Sequence, residues 1–244
     1  MSFDENSFIA ELTEVFDKNG LGHLLNEDRA KKLFSLTEIL LCENEKYNLT
    51  AITEPSKVIL HHYADCAVLA ALLPENARIA DIGCGAGFPT LPVAILRPDL
   101  KITGIDSTAK RIAYVSAAEK SLGCDNVTAI AARAEELSRT DLRESFDFAT
   151  ARAVAAMRVL AELALPFVKV GGTLIAMKGK NAAVELDEAK RAITTLGGKL
   201  DEVRDITLIG GDEELSHPLI FIKKVARTAP QYPRQFSKIS KNPL

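Results

Sequence analysis

Tryptophan is absent from this 244-residue chain, and aromatic residues make up only 6% of it. Packing must therefore rest on Leu, Ile, Val and Ala. A hydrophobic fraction of 47% is enough for a core and excludes wholesale disorder. No apolar run reaches the ~18 residues that a transmembrane helix needs. Residues Met1 to Asn6 are polar and acidic, without the positive start and apolar run of a signal peptide. The four cysteines (Cys42, Cys66, Cys84 and Cys124) form no CxxC pair, which argues against a zinc cluster or a disulfide framework. Free thiols without a leader predict a cytoplasmic protein with no membrane contact. Internal repeats and low-complexity tracts are also lacking.

Acidic residues run out before the chain does. The last is Glu214, and six basic residues follow it: Lys223, Lys224, Arg227, Arg234, Lys238 and Lys241. The first 214 residues hold the other 24 basic residues and all 33 acidic ones, so the overall charge of −3 averages an acidic body and a cationic tail. Such a split suits either a localised polyanion contact or a solvated terminus, and charge alone leaves both open. It argues against a globally basic nucleic-acid binder.

At ~150 residues per domain, the length allows one large domain or a domain with an appendage. Residues 7–75 read as helical. Phe8, Leu12, Val15 and Phe16 recur at helical spacing, as do Leu33, Leu36, Ile39, Leu40 and Leu41 behind Asn26, a candidate N-cap. A third helical segment spans 61–73. From Arg78 the pattern alternates. Strands are expected at 78–82, 101–105, 126–130, 146–150 and 173–177. Helices are expected at 88–96, 108–121, 155–168 and 182–196. Two closing strands, 203–209 and 219–223, leave no room for a helix between them. This predicts an α/β fold, an open parallel sheet of seven strands with an antiparallel last strand. The expected divisions are a helical extension (1–75), a catalytic domain (76–225) and a basic tail (226–244).

The first strand runs into Asp81-Ile82-Gly83-Cys84-Gly85-Ala86-Gly87-Phe88. Strand-to-helix loops of this kind are where doubly wound sheets bind ligands. The spacing is GxGxG behind an acid, and neither Phe88 nor Thr90 completes the GxGxxG or GxGxxA of a dinucleotide site. Asp106 ends the next strand, 19 residues past Gly87, where a carboxylate can accept both hydroxyls of an unmodified ribose. The array resembles a class I S-adenosylmethionine-dependent methyltransferase, with a nicotinamide-binding oxidoreductase as the alternative.

Acceptor chemistry narrows by elimination. Methylation of pyrimidine C5 uses a cysteine nucleophile, usually in a Pro-Cys pair, and none occurs here. Methylation of exocyclic amines often uses an (Asp/Asn)-Pro-Pro-aromatic loop after the fourth strand. That place reads Ala149-Thr150-Ala151-Arg152-Ala153-Val154-Ala155. Guanine N7 has a free lone pair and needs alignment rather than a general base, so it is consistent with this loop without being proved by it.

Further blocks carry a closer resemblance. They are Tyr47-Asn48-Leu49-Thr50, His61-His62-Tyr63-Ala64-Asp65, Asp81 through Pro89, Asp106-Ser107, Lys110-Arg111, Arg133-Ala134-Glu135 and Ala151-Arg152-Ala153-Val154. Gly171-Gly172, Lys178-Gly179, Tyr232-Pro233-Arg234 and Asn242-Pro243-Leu244 continue them. Through nearly its whole length the chain resembles the bacterial small-subunit ribosomal RNA guanine-N7 methyltransferases, the RsmG or GidB family. Cys66 stands where that family usually has Ser, and Thr90 where it often has Gly.

The resemblance implies S-adenosyl-L-methionine as cofactor and N7 of guanine 527, in the 530 loop of 16S ribosomal RNA, as target. It implies that Gly83, Gly85 and Phe88 line the methionine and adenosine site. Asp106, Ser107 and Thr108 would hold the ribose, and Ala134 and Glu135 would meet the adenine edge. Arg152 would face cofactor or substrate at the transfer point and position the substrate, with no general base required. The partner would be 16S ribosomal RNA or the small subunit, and a monomer is expected.

RNA contacts are expected from Asn48, His62, Lys110, Arg111, Lys178, Lys180, Arg227, Tyr232, Arg234 and Lys238, the tyrosine by stacking on a base. Several have plainer readings. Asn48 can cap a helix, Lys110 and Arg111 can be a solvated face, and His61 and His62 can simply pack. Adjacent helical residues point about 100° apart, so these two histidines make a poor metal site, and no metal is expected. Cys84 matters for its small size. A non-catalytic RNA-binding assembly factor with the same fold remains a further alternative.

Overall fold

A computed structural model describes residues 4–244; Met1 to Phe3, half of the polar opening segment, lie outside the described residues. Helix α1 (Glu5–Lys18) starts where Asp4 accepts the Ser7 amide at 2.8 Å. Helix α2 (Glu27–Tyr47) starts at Asn26, whose side chain accepts from the Arg29 amide. Asn48 ends α2 in the left-handed conformation at φ 48°. The next helical run holds α3 (Pro55–Val58), a π-helical turn (Ile59–Ala64) and α4 (Asp65–Leu72). It begins six residues earlier than the sequence pattern indicates, with Pro55 at the first turn, where a missing N–H costs nothing.

The alternating region follows with β1 (Arg78–Ile82), α5 (Thr90–Leu96), β2 (Lys101–Asp106), α6 (Ala109–Leu122), β3 (Val127–Ala131), α7 (Ala134–Leu137) and β4 (Phe146–Arg152). It continues with α8 (Met157–Ala164), β5 (Val168–Met177), α9 (Ala182–Thr195), β6 (Gly198–Gly210), β7 (Glu213–Lys224) and α10 (Phe236–Lys241). The expected helix 155–168 is shorter. Leu165–Phe167 tightens into a 3-10 turn around Pro166, which has no N–H for a continuing helix, and the chain enters β5 at Val168.

Seven strands form one sheet in the order β3-β2-β1-β4-β5-β7-β6. Strands β1 to β5 pair in parallel, and β7 pairs antiparallel with both β5 and β6. The last two strands are much longer than expected, because Gly211 (φ 57°) and Asp212 form a two-residue turn that pairs Gly210 with Glu213.

Each face of the sheet has its own core. One combines Phe8, Leu12, Phe16, Leu33 and Leu40 of α1 and α2 with Leu91, Val115 and the sheet residues Ile79 and Ile102. The helical extension thus shares its apolar interior with the sheet. The other core packs Leu160, Ala189 and Ile193 of α8 and α9 on Ile82, Ile105, Ile220 and Ile222, and takes in Ile239 of α10. The strand order reverses between β1 and β4, which are parallel neighbours, so their carboxyl ends open a crevice.

Candidate functional site

That crevice holds a cleft of about 460 Å³, within the usual size for small-molecule sites. Its walls include Gly83, Asp106, Ser107, Thr108, Ala134 and Glu135, all expected from the sequence to touch cofactor. Gly83 has φ 72°, and a Cβ added there would lie 2.7 Å from Val154 Cγ2. Glycine therefore serves both the turn and the close approach to β4's loop. Asp106 Oδ2 accepts the Gly85 amide at 3.0 Å, and Oδ1 accepts the Thr108 amide at 2.8 Å. Each oxygen keeps a lone pair for a further donor. A carboxylate so fixed fits a ribose diol.

Behind the loop lies Asp81, 1% exposed. Thr90 Oγ1 donates to it at 2.6 Å and Thr150 Oγ1 at 3.3 Å. Burial pushes its carboxyl up to about 6 against those two bonds. Burial also pushes the Cys84 thiol up, in keeping with a small packing residue rather than a nucleophile.

A second cleft, also about 460 Å³, adjoins the first and shares Ala153, Val154 and Ala155 with it. It lies over the ends of β4 and β5 and includes Arg152, Lys178, Asp65 and His217. Arg152 Nη1 donates to the His61 carbonyl at 2.9 Å and to Asp65 at 3.2 Å, and Nη2 lies 3.1 Å from His62 Nδ1. His62 Nδ1 also lies 3.1 Å from the His61 carbonyl, and its Nε2 is 3.2 Å from Thr50 Oγ1. The His62 ring stacks on Phe88 at 4.2 Å, and Arg152 lies 5.3 Å from the centre of the same ring. Burial and the Arg152 charge push His62 down to about 3, so it is neutral.

Several residues expected at a ligand surface sit elsewhere. Phe88 is buried under His62 and does not line the cofactor cleft; Gly85 stands behind Asp106. His62 is buried in that stack rather than offered to RNA, and the His61 ring turns away to Glu213 at 2.8 Å. Lys178 is 9% exposed and spends its ammonium on Glu185 at 2.6 Å and the Ala155 carbonyl at 2.5 Å. Arg234 forks onto fully buried Glu162, with Nη2 to Oε2 at 2.6 Å. Tyr232 is half-buried, its carbonyl held by Arg143. Arg111 lines the cofactor cleft, 3.7 Å from Asp106. Asn48, Lys110, Lys180, Arg227 and Lys238 are exposed, and Lys180 lines a separate apolar groove between α9 and β6.

Arg133 and Phe236 line the first cleft and Asp65 and His217 the second, without a role assigned from sequence. Asp65 stood inside a recognised block without a role. His217 fell before the expected strand 219–223, and the Gly210-Gly211-Asp212 turn signal would have extended that strand to include it. Phe236 reaches the cofactor cleft from the tail, with Arg133 5.6 Å from its ring centre.

The family described as rRNA small subunit methyltransferase G (GidB) matches residues 29–209. The chain belongs to this family. It is 42% identical over 229 residues to the ribosomal RNA small subunit methyltransferase G of Clostridium perfringens strain 13, covering 93% of this chain and 95% of that one. The Lactobacillus johnsonii protein of the same name is 42% identical over 238 residues, covering 95% and 99%. Among solved structures, M. jannaschii TYW2 in complex with AdoMet has a TM-score of 0.53 at 17% identity, covering 66% of this chain and 75% of that one. A SAM-dependent O-methyltransferase from Thermotoga maritima has a TM-score of 0.52 at 17% identity, covering 78% and 72%. These two likenesses establish the class I methyltransferase fold for the family member described here.

Proposed function

We propose that the protein transfers the methyl group of S-adenosyl-L-methionine to N7 of guanine 527 in 16S ribosomal RNA. The observation that carries this reading is the pair of clefts joined at Ala153, Val154 and Ala155, one built on Asp106 and Gly83, the other on Arg152. Residues 1–75 form its helical extension, 76–225 the methyltransferase domain and 226–244 the basic tail. It works on the small subunit or its RNA, as a cytoplasmic monomer.

When bound, S-adenosyl-L-methionine supplies an electrophilic sulfonium methyl. Asp106 accepts the ribose hydroxyls, and Ser107 and Thr108 close that side. Ala134 and Glu135 border the adenine, and Gly83 lets the backbone approach the methionine. On the acceptor side, N7 attacks with its own lone pair, so no residue need remove a proton. Alignment is the chain's main task, and Arg152 performs it from a fixed position, tied to the His61 carbonyl and Asp65.

Calorimetric titration tests the cofactor: binding of S-adenosylhomocysteine is expected, and binding of NAD in its place would overturn the reading. Tritiated-methyl transfer to unmethylated small-subunit RNA and subunits tests the activity. Incorporation is expected. Its absence from both, with cofactor bound, would favour the assembly-factor alternative.

A further inference from the structure

His217 lies on β7 and Asp65 opens α4, and both border the acceptor cleft. His217 Nε2 meets Asp65 Oδ1 at 2.6 Å, while Arg152 donates to the other carboxylate oxygen. Asp65 can only accept, so Nε2 carries a proton and the ring is held in one orientation. The opposite nitrogen, Nδ1, has only a 3.5 Å approach to the Pro218 carbonyl, the outer limit of a hydrogen bond. It is the ring atom with capacity left for a ligand.

We propose that His217, held by Asp65, reads the acceptor base as guanine by donating from Nδ1 to O6. This rests on the guanine-N7 reading above. Guanine presents two acceptors side by side, N7 and O6, whereas adenine replaces O6 with an amino donor. N7 must stay free for the methyl group, so O6 is the neighbouring atom that a site can read without blocking the reaction. A donor at that place accepts guanine and repels adenine, and leaving a buried donor unpaired is costly.

Of the charges around the ring, Asp65 favours the donor form and Arg152 opposes it. Asp65 of α4 faces it, Arg152 of β4 lies beyond that carboxylate, and the Lys178–Glu185 pair stands in the same cleft. On β6 its partner across the sheet is the apolar Ile206. Burial works against a charged ring, but the bond and charge of Asp65 outweigh it, and His217 is raised above its ordinary value.

The test compares wild type with His217→Ala and His217→Gln on small-subunit RNA carrying either guanine or 2-aminopurine, which lacks O6, at the target position. Initial rates of tritiated-methyl transfer give kcat/KM for each pair, and S-adenosylhomocysteine affinity confirms that the variants are folded. The guanine-to-2-aminopurine ratio should fall about 10- to 100-fold in His217→Ala, the worth of a hydrogen bond to a charged donor, and recover partly in His217→Gln. In wild type the preference should weaken as pH rises and the ring loses its proton. A ratio unchanged in His217→Ala would overturn the proposal while leaving guanine methylation intact. Absence of N7 methylation by wild type on the guanine RNA would overturn the guanine reading itself, and this proposal with it.

Discussion

Asp81 and Asp106 look alike in sequence, each an acid at a strand end, yet the structure gives them different work. Asp106 borders the cleft, whereas Asp81 is sealed behind the loop with Thr90 and Thr150. Thr90, the departure from the family's common Gly, thus supplies a hydrogen bond to a buried carboxylate. Asp106→Ala should weaken S-adenosylhomocysteine binding by roughly 1–3 kcal/mol, the value of charged hydrogen bonds to a diol; calorimetry showing unchanged affinity would contradict the ribose assignment. His62 gives a pH prediction. Its ordinary value is 6.5 and its folded value about 3, so between those limits the unfolded chain binds a proton that the folded chain refuses. This group's contribution is therefore present above 6.5 and lost as pH falls. In urea titrations, the stability of wild type relative to His62→Phe should decline from pH 7 to pH 5, and a constant difference would contradict a neutral buried ring. The glycine loop and Asp106 were legible because their spacing is local. The burial of Phe88, His62 and Lys178 was not, because it depends on partners from distant segments.

At the scale of elements, periodicity located every strand and most helices but misjudged where they end. Pro166 shortened α8, the Gly211-Asp212 turn lengthened β6 and β7, and the π-helical turn over Ile59–Ala64 had no sequence signal. That last irregularity matters, since it sets the His61 carbonyl against Arg152, and π turns often occur at functional sites. The tail is an element in its own right. Glu162 of α8 is fully buried and takes the Arg234 guanidinium and backbone amide, while Lys224, pushed down to about 8 by burial, bonds the Leu165 carbonyl and Thr228. Arg234→Ala leaves the Glu162 charge uncompensated and should cost about 3 kcal/mol, the low end for a broken buried pair because Arg234 reaches solvent. Glu162→Gln in that background should recover part of it. Chemical denaturation measures both, and a loss below about 0.5 kcal/mol, typical of ordinary surface changes, would show that the pair does not anchor the tail.

Across the whole molecule, the absence of acids after Glu214 acquires two meanings. Part of the positive charge is spent inside: Lys224 and Arg234 bind Glu144 and Glu162 and fasten the tail, which carries Phe236 to the cofactor cleft. The remainder includes exposed Arg227, which lies 4.0 Å from Glu144, and exposed Lys238 and Lys241, which the proposed function assigns to RNA phosphate. Replacing Lys110, Arg227 and Lys238 together with glutamine should flatten the dependence of log affinity on log salt. Each phosphate contact removed should change that slope by about 0.7–0.9. Fluorescence anisotropy across a salt series measures it, and an unaltered slope would place the RNA elsewhere. The central claim is methylation of one atom on one base, and the direct measurement maps it. Small-subunit RNA is incubated with the protein and S-adenosyl-L-methionine, treated with borohydride and aniline, and read by primer extension. Strand cleavage at guanine 527 is the predicted result; an intact strand there, with labelled methyl incorporated at another position, would contradict the account.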